Sequence, residues 1–590
     1  MFVRCVIILL ILLMMKHNIQ IYILLLISTI AVSCATMIQP SGGPVDTTPP
    51  VPKLYKPANG SMNMHKKRVE IYFDEFIILD KLSQQLVVSP QMPEDPKVNI
   101  NGKKLIIDLP DSLRPNTTYT IFFGDAVVNF KENLPVHNFS YVFSTGKIVD
   151  SLKIKGKVVN AFDHTNYKEL YVMLYKSTTD SAIYKHKPYY LCKAEKDGHF
   201  YLNNLAAGKY QIFALKDENR NYIYDQPNEE IAFFDSLVVP YYEEPLDKIN
   251  KDSIMSKNIT PKYPDINLFV FKETPKELKL ISNKTYPPNR ALFVFNKAVS
   301  DFKIKPLNFA PDTIWHKEVY GINRDSVTTF LMSIKKDTIN VLLSDSDKNL
   351  DTLEMVLVKK KRKSSNRRNR RNQVVKQVKP KAKTIPKISL TTNLSANFHF
   401  FSSIEVKFKV PLRNYNLNKI ELYKSKDTSW IPIKHKSYLS DSINRLSINI
   451  DANFSEREKY KLLIRDSCFF DIYYATNDTF QKEFFTTEMR QYGSLKLDIN
   501  YDNKDRLIIQ LLNKKEKILR EDIIDSSSVI IYPYLTDGKY KIKAIVDKNY
   551  NGKWDTGDLD NKTQPEQIFY VPKVIDIRAN WDTEQIWHIE

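Results

Sequence analysis

Acidic and amide side chains alternate along residues 547–558, whose sequence is DKNYNGKWDTGD. Oxygen-bearing side chains at alternate positions can wrap round a hard cation such as Ca²⁺, and Gly552 at the sixth position permits the sharp turn that such a loop needs. Asp558 stands at the twelfth position, where Glu is usual, and its shorter arm predicts weaker or monodentate ligation. The candidate calcium ligands are Asp547, Asn549, Asn551, Lys553 through its carbonyl oxygen, Asp555 and Asp558.

A second stretch, DENRNYIYDQPN at 217–228, repeats this pattern less completely, with Tyr222 in place of the glycine. Its candidate ligands are Asp217, Asn219, Asn221 and Asp225. The flanks of both stretches have strand character, so each would be a calcium loop in a β context, not an EF-hand. The competing interpretation is a polar hairpin whose Asx side chains bond their own backbone. Under both interpretations the role is structural.

A basic run occupies residues 359–383 and holds 13 Lys or Arg and no acid. It predicts a solvated linker between modules, and the functional alternative is a tether for anionic envelope polymers such as lipid head groups. The candidate anion-binding residues are Lys359, Lys360, Lys361, Arg362, Lys363, Arg367, Arg368, Arg370 and Arg371.

Catalytic motifs are absent from the sequence, which contains no GxSxG, HExxH, Walker A loop or GxGxxG. Two adjacent acid pairs, Asp74-Glu75 and Glu229-Glu230, are predicted to be surface charges because neighbouring residues in a strand face opposite sides. The sequence therefore predicts no enzyme and no cofactor other than structural Ca²⁺.

The elements that must position these residues are short strands. Apolar residues alternate at Val69, Ile71 and Phe73, and again along 105–109, 119–123 and 141–143. This alternation is typical of half-buried strands, and several such strands in about 100 residues indicate a β-sandwich. The predicted fold class is all-β, as a tandem array of sandwich modules; the best short helix candidate is 514–520.

Two kinds of module are repeated along the chain. The spacing from Tyr119 to Phe139 equals the spacing from Tyr460 to Phe480, in the same order of landmarks. LRPNTTY at 113–119 predicts a tyrosine corner. GKYQIFALKDENRN at 208–221 is repeated as GKYKIKAIVDKNYN at 538–551. Each of the two candidate calcium loops therefore follows the same strand of a duplicated module.

Residues 1–33 are almost entirely apolar, and a 13-residue apolar block, 21–33, ends at Cys34. The block is too short to span a bilayer as a helix and suits a signal peptide. A basic segment from Met15 precedes it, so translation is predicted to begin at Met14 or Met15. Ala-Val-Ser before Cys34 resembles a bacterial lipobox, in which the cysteine is lipidated. The alternative is an ordinary signal peptide that happens to end at a cysteine.

The tether SGGPVDTTPP, the strand VEIYFDEF and the segment LRPNTTYTIFFGD together resemble bacterial Ig-like (SbsA-type) domain lipoproteins of the cell envelope. DGHFYLNNLAAGKY at 197–210 resembles transthyretin-like, or carboxypeptidase-regulatory-like, β-sandwiches. The predicted order is a signal peptide (1–33), a lipidated cysteine and tether (34–53), an Ig-like module (54–148), a transthyretin-like module (149–261), a divergent β module (262–358), a basic linker (359–384), a second Ig-like module (385–490) and a second transthyretin-like module (491–590).

The resemblance implies an exported, lipid-anchored, all-β protein and implies no reaction. The predicted function is a non-enzymatic envelope scaffold on the outer membrane, facing the periplasm, with envelope proteins or glycans as partners. The alternative is a glycan-binding component of a polysaccharide-handling system. The net charge of +19 falls to +17 without residues 1–33, and 359–383 carries +13 of that. The modules are therefore nearly neutral, and a nucleic-acid partner is not predicted.

Overall fold

The chain is described by a computed structural model over residues 46–242, 266–358 and 387–589, except for 168, 177, 178, 312 and 313. The regular secondary structure of this part is almost entirely β-strand, which confirms the predicted fold class. Its helical elements are α1 (Leu82–Gln85), α2 (Ala182–Lys185) and the 3-10 turns Leu417–Lys419 and Met489–Gln491. None of the described helices is long and apolar enough to cross a membrane. The chain divides into two compact units, Met1–Ser151 and Leu152–Glu590.

The first unit contains one β-sandwich, corresponding to the first predicted module. Its strands are β1 (Pro52–Lys56), β2 (Arg68–Phe73), β3 (Ile77–Leu79), β4 (Val87–Ser89), β5 (Lys97–Asn101), β6 (Lys104–Asp108), β7 (Thr118–Gly124), β8 (Val127–Asn129) and β9 (Phe139–Ser144). The two main sheets have the orders β1-β2-β6-β5 and β4-β7-β9, and β3 pairs with β8. The core between them is filled by the alternating residues of β2, β6 and β7, including Val69, Ile71, Ile107 and Tyr119.

The second unit begins with the module that carries the first candidate loop. Its strands are β10 (Leu152–Asn160), β11 (Tyr171–Tyr175), β12 (Tyr190–Lys193), β13 (His199–Leu205), β14 (Gln211–Lys216), β15 (Glu230–Phe233) and β16 (Ile266–Val270). The two sheets are β13-β10-β16 and β12-β11-β14-β15. The boundary predicted at 261 gave β16 to the third module. In the structure β16 pairs in parallel with β10 and completes the second module instead.

The third module, predicted only as a divergent β module, has the same strand order as the first. Its strands are β17 (Leu280–Tyr286), β18 (Arg290–Phe295), β19 (Phe302–Pro306), β20 (His316–Tyr320), β21 (Ser326–Leu331), β22 (Thr338–Asp345) and β23 (Lys348–Val356). The sheets β17-β18-β21-β20 and β19-β22-β23 match β1-β2-β6-β5 and β4-β7-β9 position by position. The third module is therefore another copy of the first kind of module.

The fourth module also follows this order and keeps a counterpart of the β3–β8 pair. Its strands are β24 (Leu390–Thr392), β25 (Asn397–Phe398), β26 (Ile404–Phe408), β27 (Leu412–Tyr415), β28 (Ile420–Lys426), β29 (Ser429–Pro432), β30 (Lys436–Leu439), β31 (Ser447–Asp451), β32 (Lys459–Ile464), β33 (Phe469–Asp471) and β34 (Phe480–Thr486). The sheets are β24-β26-β31-β30 and β25-β34-β32-β28-β29, with β27 paired to β33.

The fifth module repeats the strand order of the second and has one additional strand. Its strands are β35 (Tyr492–Tyr501), β36 (Arg506–Asn513), β37 (Ile518–Ile524), β38 (Ser528–Thr536), β39 (Gly538–Asp547), β40 (Ile568–Tyr570), β41 (Ile575–Ile577) and β42 (Asp582–Ile589). The sheets are β38-β35-β42 and β37-β36-β39-β40, with the additional strand, β41, also paired to β39. The short helix predicted at 514–520 is wrong: this stretch forms the turn between β36 and β37 and the start of β37, which pairs with β36.

The tyrosine corner predicted in the first module is present, and the fourth module has the same one. The Tyr119 hydroxyl accepts a hydrogen bond from the Arg114 N–H at 2.9 Å, and the Tyr460 hydroxyl accepts one from the Ser455 N–H at 2.8 Å. The two phenols close loops of equal length, and the strands at which these loops end, β7 and β32, occupy equivalent positions in their modules. The duplication inferred from residue spacing therefore extends to individual hydrogen bonds.

Within the second unit, direct contacts join the modules in sequence. The side-chain amide of Asn444 in the fourth module bonds both backbone groups of Tyr320 in the third, at 2.8 and 3.1 Å. Phe401 of the fourth module stacks on Tyr534 of the fifth, with ring centroids 4.8 Å apart. The fifth module in turn contacts the second, from which the third and fourth modules separate it in the sequence.

Candidate functional site

The first candidate loop, 217–229, follows β14 and brings together the predicted residues. The Asp217 carboxylate accepts N–H bonds from Arg220 and Tyr222, at 2.6 and 2.7 Å. The amide nitrogens of Asn219 and Asn221 donate to the two oxygens of Asp225, at 3.0 and 2.7 Å. Tyr222, in the position predicted for glycine, has φ +62°, so the sharp turn forms without glycine.

The second candidate loop, which follows β39, is built in the same way. Asp547 is fully buried, and its carboxylate accepts the N–H groups of Asn551 and Gly552 at 3.0 and 2.9 Å. The amide nitrogens of Asn549 and Asn551 both donate to Asp555. Gly552 has φ +77°, close to the φ of Tyr222. Lys553 donates its N–H to the Asn551 side chain at 3.0 Å, which is the bond that Ile223 makes to Asn221 in the first loop.

A glutamate that the twelve-residue pattern missed completes each loop. In the first loop Glu229 accepts the Asp225 N–H at 3.1 Å, and in the second Glu566 accepts the Asp555 N–H at 3.0 Å. Burial, with Asp217 and Asp225 nearby, raises the pKa of the Glu229 carboxyl. Burial, with Asp555 and Asp547 nearby, raises the pKa of Glu566 in the same way. Each loop therefore has a buried glutamate near two of its aspartates.

Two residues at these loops lie elsewhere than the sequence predicts. Asp558 does not join the other predicted ligands, because its carboxylate accepts two hydrogen bonds from Asn561, each at 2.9 Å. Glu229 is not a surface charge but is fully buried. The signal that could have shown this is a Gln-Pro pair before each glutamate, 226–227 and 564–565, just ahead of β15 or β40. Across the described residues, no group of three or more His, Cys, Asp or Glu side chains is by itself arranged to hold a metal ion.

The fifth module's loop carries an insertion, 556–563, that packs against the second module. Asp560 accepts hydrogen bonds from the Tyr184 hydroxyl, at 2.7 Å, and from Lys276. The Leu559 N–H donates to Glu273 at 2.6 Å, and the Tyr224 hydroxyl donates to the same carboxylate at 2.7 Å. Tyr224 lies on the first candidate loop. Glu273 therefore connects the first loop to the insertion of the second.

A lysine and several aromatic rings lie beside this contact. Lys543 of β39 is 2% exposed, and its ammonium lies 3.3 Å from the centroid of the Phe162 ring of the second module. Burial lowers the pKa of Lys543 to about 8. Burial, with Lys543 nearby, also lowers the pKa of His164. Trp554 packs edge-on against Phe162, with centroids 5.0 Å apart.

A cleft of about 240 Å³ opens between the second and fifth modules. Aromatic rings and amide or carboxyl groups share its lining, which includes Phe234, Phe269, Asp235, Asn267, Gln564 and Gln567. Phe234 and Phe269 are 40% and 38% exposed. Flat apolar rings beside hydrogen-bonding side chains form a surface suited to a sugar.

The other predicted site residues lie outside the described residues. Cys34 precedes the described part of the first unit, and the basic run falls between residues 358 and 387. Lipidation and anion binding therefore stay predictions.

A family model described as a bacterial Ig-like domain matches residues 46–145. The match spans the sandwich formed by β1 to β9. Residues 46–145 are an Ig-like domain. The repeated strand order extends this topology to the third and fourth modules. A search of curated proteins gave no match.

Several solved structures match this chain at low identity and low TM-score. The S-layer protein rSbsC is 11% identical, with 88% of this chain and 67% of that chain covered and a TM-score of 0.14. The major pilin subunit of Bacillus cereus is 10% identical, with 74% and 99% covered and a TM-score of 0.13. A fragment of the alpha-2-macroglobulin of Escherichia coli, spanning domains MG0-NIE-MG1, is 10% identical, with 51% of this chain and 97% of the fragment covered and a TM-score of 0.15. Such low TM-scores establish no common arrangement of domains.

Proposed function

We propose that this chain is a non-enzymatic lipoprotein of the cell envelope that acts as a structural scaffold of β-sandwich modules. The observation that carries the proposal is the contact between the second and fifth modules. Hydrogen bonds, an ion pair and ring contacts join surfaces that lie far apart in sequence. The third module also contacts the fourth, and the fourth contacts the fifth. These contacts together connect the four modules of the second unit.

The anchor proposed for this scaffold is a lipid on Cys34, which would attach the protein to the outer membrane with its modules toward the periplasm. Metabolic labelling with a radioactive fatty acid tests this. The wild-type chain should be labelled and sediment with outer-membrane vesicles, and the Cys34→Ser variant should be unlabelled. Equal labelling of the Cys34→Ser variant would contradict the anchor. Digestion of the wild-type chain by protease added to intact cells would contradict the periplasmic orientation.

Crosslinking in intact cells tests the scaffold role. Treatment with a membrane-permeable crosslinker, followed by purification and mass spectrometry, should recover the same envelope proteins in repeated experiments. A chain unable to form the contact between second and fifth modules should lose part of that set. Recovery of the chain without any reproducible envelope partner would contradict the scaffold.

The basic run adds a proposed contact with anionic head groups. A chain lacking residues 359–383 loses 13 positive charges and should bind vesicles with anionic lipids less well, while keeping the unfolding temperature of the parent chain. Misfolding of the shortened chain would show that this run is not a linker.

The cleft between the second and fifth modules favours a second candidate function, glycan binding. Its exposed phenylalanines and amide side chains are the groups that sugar recognition uses. Binding to purified envelope polysaccharides, measured with wild type and with Phe269→Ala, tests it. Phe485→Ala, which removes a half-exposed ring on the fourth module, is the matched control. If the cleft binds glycans, Phe269→Ala should weaken binding and Phe485→Ala should not.

A further inference from the structure

We propose that the loop 217–229 of the second module binds a calcium ion and that the ion stabilises the contact with the fifth module. The donors are the side chains of Asp217, Asn219, Asn221, Asp225 and Glu229, with the Ile223 carbonyl oxygen at the seventh position. Calcium prefers oxygen donors of this mixed kind, namely carboxylate, carboxamide and carbonyl.

Glu229 points to an ion because one of its oxygens has no partner. The residue is fully buried, and its Oε2 accepts the N–H groups of Asp225 and Gln226, both at 3.1 Å. Its Oε1 has no hydrogen-bond partner among the described residues. A buried carboxylate oxygen without a partner is costly, and a cation at that oxygen removes the cost.

The charge of the loop supports the same conclusion. Asp217, Asp225 and Glu229 lie close together, and in the described part of the chain none of them forms an ion pair with Lys or Arg. The neighbouring Lys216 pairs instead with Glu218 and Glu230, at 3.4 and 3.1 Å. Three clustered carboxylates without a positive partner repel one another, and a divalent cation offsets this repulsion.

The fifth module's loop provides an internal comparison. Glu566 occupies the place of Glu229, but both of its oxygens accept backbone hydrogen bonds, from Lys548 at 2.9 Å and Asp555 at 3.0 Å. The unpartnered oxygen therefore distinguishes the first loop from its copy. Ion binding requires a local rearrangement, because the amide nitrogens of Asn219 and Asn221, which now donate to Asp225, must give way to oxygen donors.

Tyr224, which lies inside the loop, would transmit the effect of the bound ion to the contact between the second and fifth modules. The Tyr224 N–H bonds the Ile183 carbonyl at 3.0 Å, and its hydroxyl donates to Glu273, the acceptor for Leu559 of the fifth module. A loop held by an ion keeps this tyrosine in place. Calcium should therefore tighten a contact whose other half belongs to a module far along the sequence.

Direct binding to the full chain tests the ion without reference to the scaffold role. Isothermal titration with Ca²⁺ in chelator-treated buffer should show binding, with a dissociation constant of about 0.1–1 mM, the range of weak calcium-binding modules. Glu229→Gln removes one charge at nearly constant volume and should lower the number of bound ions by one. Glu218→Gln, the same change at an exposed neighbouring position, should leave the number unchanged.

Two further measurements guard against a folding artefact. Asp225→Asn, at an exposed position, should lose the same ion as Glu229→Gln, and both variants should keep the far-UV circular dichroism of the wild type. Hydrogen exchange at the Leu559 N–H should slow several-fold when Ca²⁺ is added to the wild type but not to Glu229→Gln. The proposal is overturned if Glu229→Gln binds as many ions as the wild type, or if Ca²⁺ leaves exchange at Leu559 unchanged.

Discussion

Single hydrogen bonds show how closely the repeated modules correspond. Beside each tyrosine corner, a threonine hydroxyl of the last strand, or just after it, bonds the loop that the phenol closes. The Thr145 hydroxyl donates to the Arg114 carbonyl at 2.7 Å, and the Thr486 hydroxyl donates to the Ser455 carbonyl at 2.6 Å. Each corner therefore depends on a tyrosine and a threonine, and the spacing between the two is the same in both copies.

Removing the phenol at a corner should destabilise the module that contains it. Tyr460→Phe leaves the Ser455 N–H without its acceptor, and the expected cost is about 1–3 kcal/mol in free energy of unfolding. Calorimetry of the full chain should show the transition of the fourth module at lower temperature. Tyr72→Phe, which removes a partly exposed bond to Glu70 that water can replace, is the control and should change little.

The pH dependence of the contact between second and fifth modules should follow Lys543. Below pH 8 this lysine is charged in both the folded and unfolded chains, so the folded state carries the full cost of burying the ammonium. Between about pH 8 and pH 10.5, the ordinary pKa of lysine, Lys543 loses its proton in the folded chain but keeps it in the unfolded chain. The free energy of unfolding should therefore rise with pH over this interval by up to about 3 kcal/mol. His164 acts in the same direction, because its lowered pKa makes stability fall as pH drops below 6.5.

Denaturant unfolding from pH 5 to 10.5 measures this dependence. Lys543→Met keeps an apolar chain under Phe162 and should remove the rise above pH 8. The other charged or titratable groups near Lys543 and His164 are Asp163, Glu516, Lys157 and Tyr570, and all are present in both proteins. An equal rise in the variant would assign the dependence to those groups instead.

The loop residues show how far sequence reasoning reaches at this scale. Asp217 to Asp225 and Asp547 to Asp555 follow a fixed register, so their clustering was predictable. The glutamates were not, because Glu229 is four residues beyond Asp225 while Glu566 is eleven beyond Asp555. The insertion in the second loop changes the spacing, and only the strand that follows brings each glutamate back to its loop.

At the scale of strands and sheets, topology persists where landmark residues do not. The described residues of the third module contain no tyrosine corner, so spacing does not relate this module to the first and fourth modules. Its strand order is nevertheless the same. Alternating residues such as Phe293, Val327 and Val341 still direct one face of each strand to the core. Apolar alternation predicts that strands exist, but it does not reveal which strands pair.

The sequence prediction places the parallel strand β16 in the third module for a related reason. Its partner β10 is the first strand of the second module, far earlier in the chain, and no local pattern connects them. Gly156 of β10 is required for the pairing, because a Cβ there would lie 2.1 Å from the Ile266 carbonyl oxygen and 2.7 Å from the Phe200 ring.

Gly156→Ala should therefore loosen β16 from the second module. The expected cost is about 1–3 kcal/mol, the usual range for overpacking. Hydrogen exchange at the amides of β16 should accelerate, while exchange in the fifth module stays as in the wild type. Lys157→Ala, the next position on the same strand with a partly exposed side chain, is the control. If the amides of β16 exchange no faster in Gly156→Ala than in the wild type, the strand accommodates the added Cβ without weaker pairing.

At the scale of the whole second unit, one glycine governs how closely the second and fifth modules approach. Gly557 is buried, and a Cβ on it would lie 2.6 Å from the ring of Phe271. Since Phe271 is 2% exposed and packs on Phe233, its ring cannot turn away easily. Small size at position 557 is therefore a condition for the contact.

Gly557→Leu should separate the two modules while leaving each one folded. Small-angle scattering should show a larger radius of gyration, and protection of the Leu559 N–H should be lost. Phe271→Leu removes the end of the ring, so Gly557→Ala should cost less in that background than in the wild type. If the effects of Gly557→Ala and Phe271→Leu on stability simply add, the added Cβ does not clash with the Phe271 ring.

The parallel pairs β10–β16 and β35–β42 also determine how these modules respond to pulling. In each module the first strand lies beside the last, over five residue pairs in one case and eight in the other. The chain thus enters and leaves each sheet at opposite ends, and tension applied through the termini acts along the strands. Under such a load the hydrogen bonds of the pair are sheared together rather than opened one after another. The second and fifth modules are therefore built to resist mechanical force in the direction in which a chain fixed at one end would be stretched.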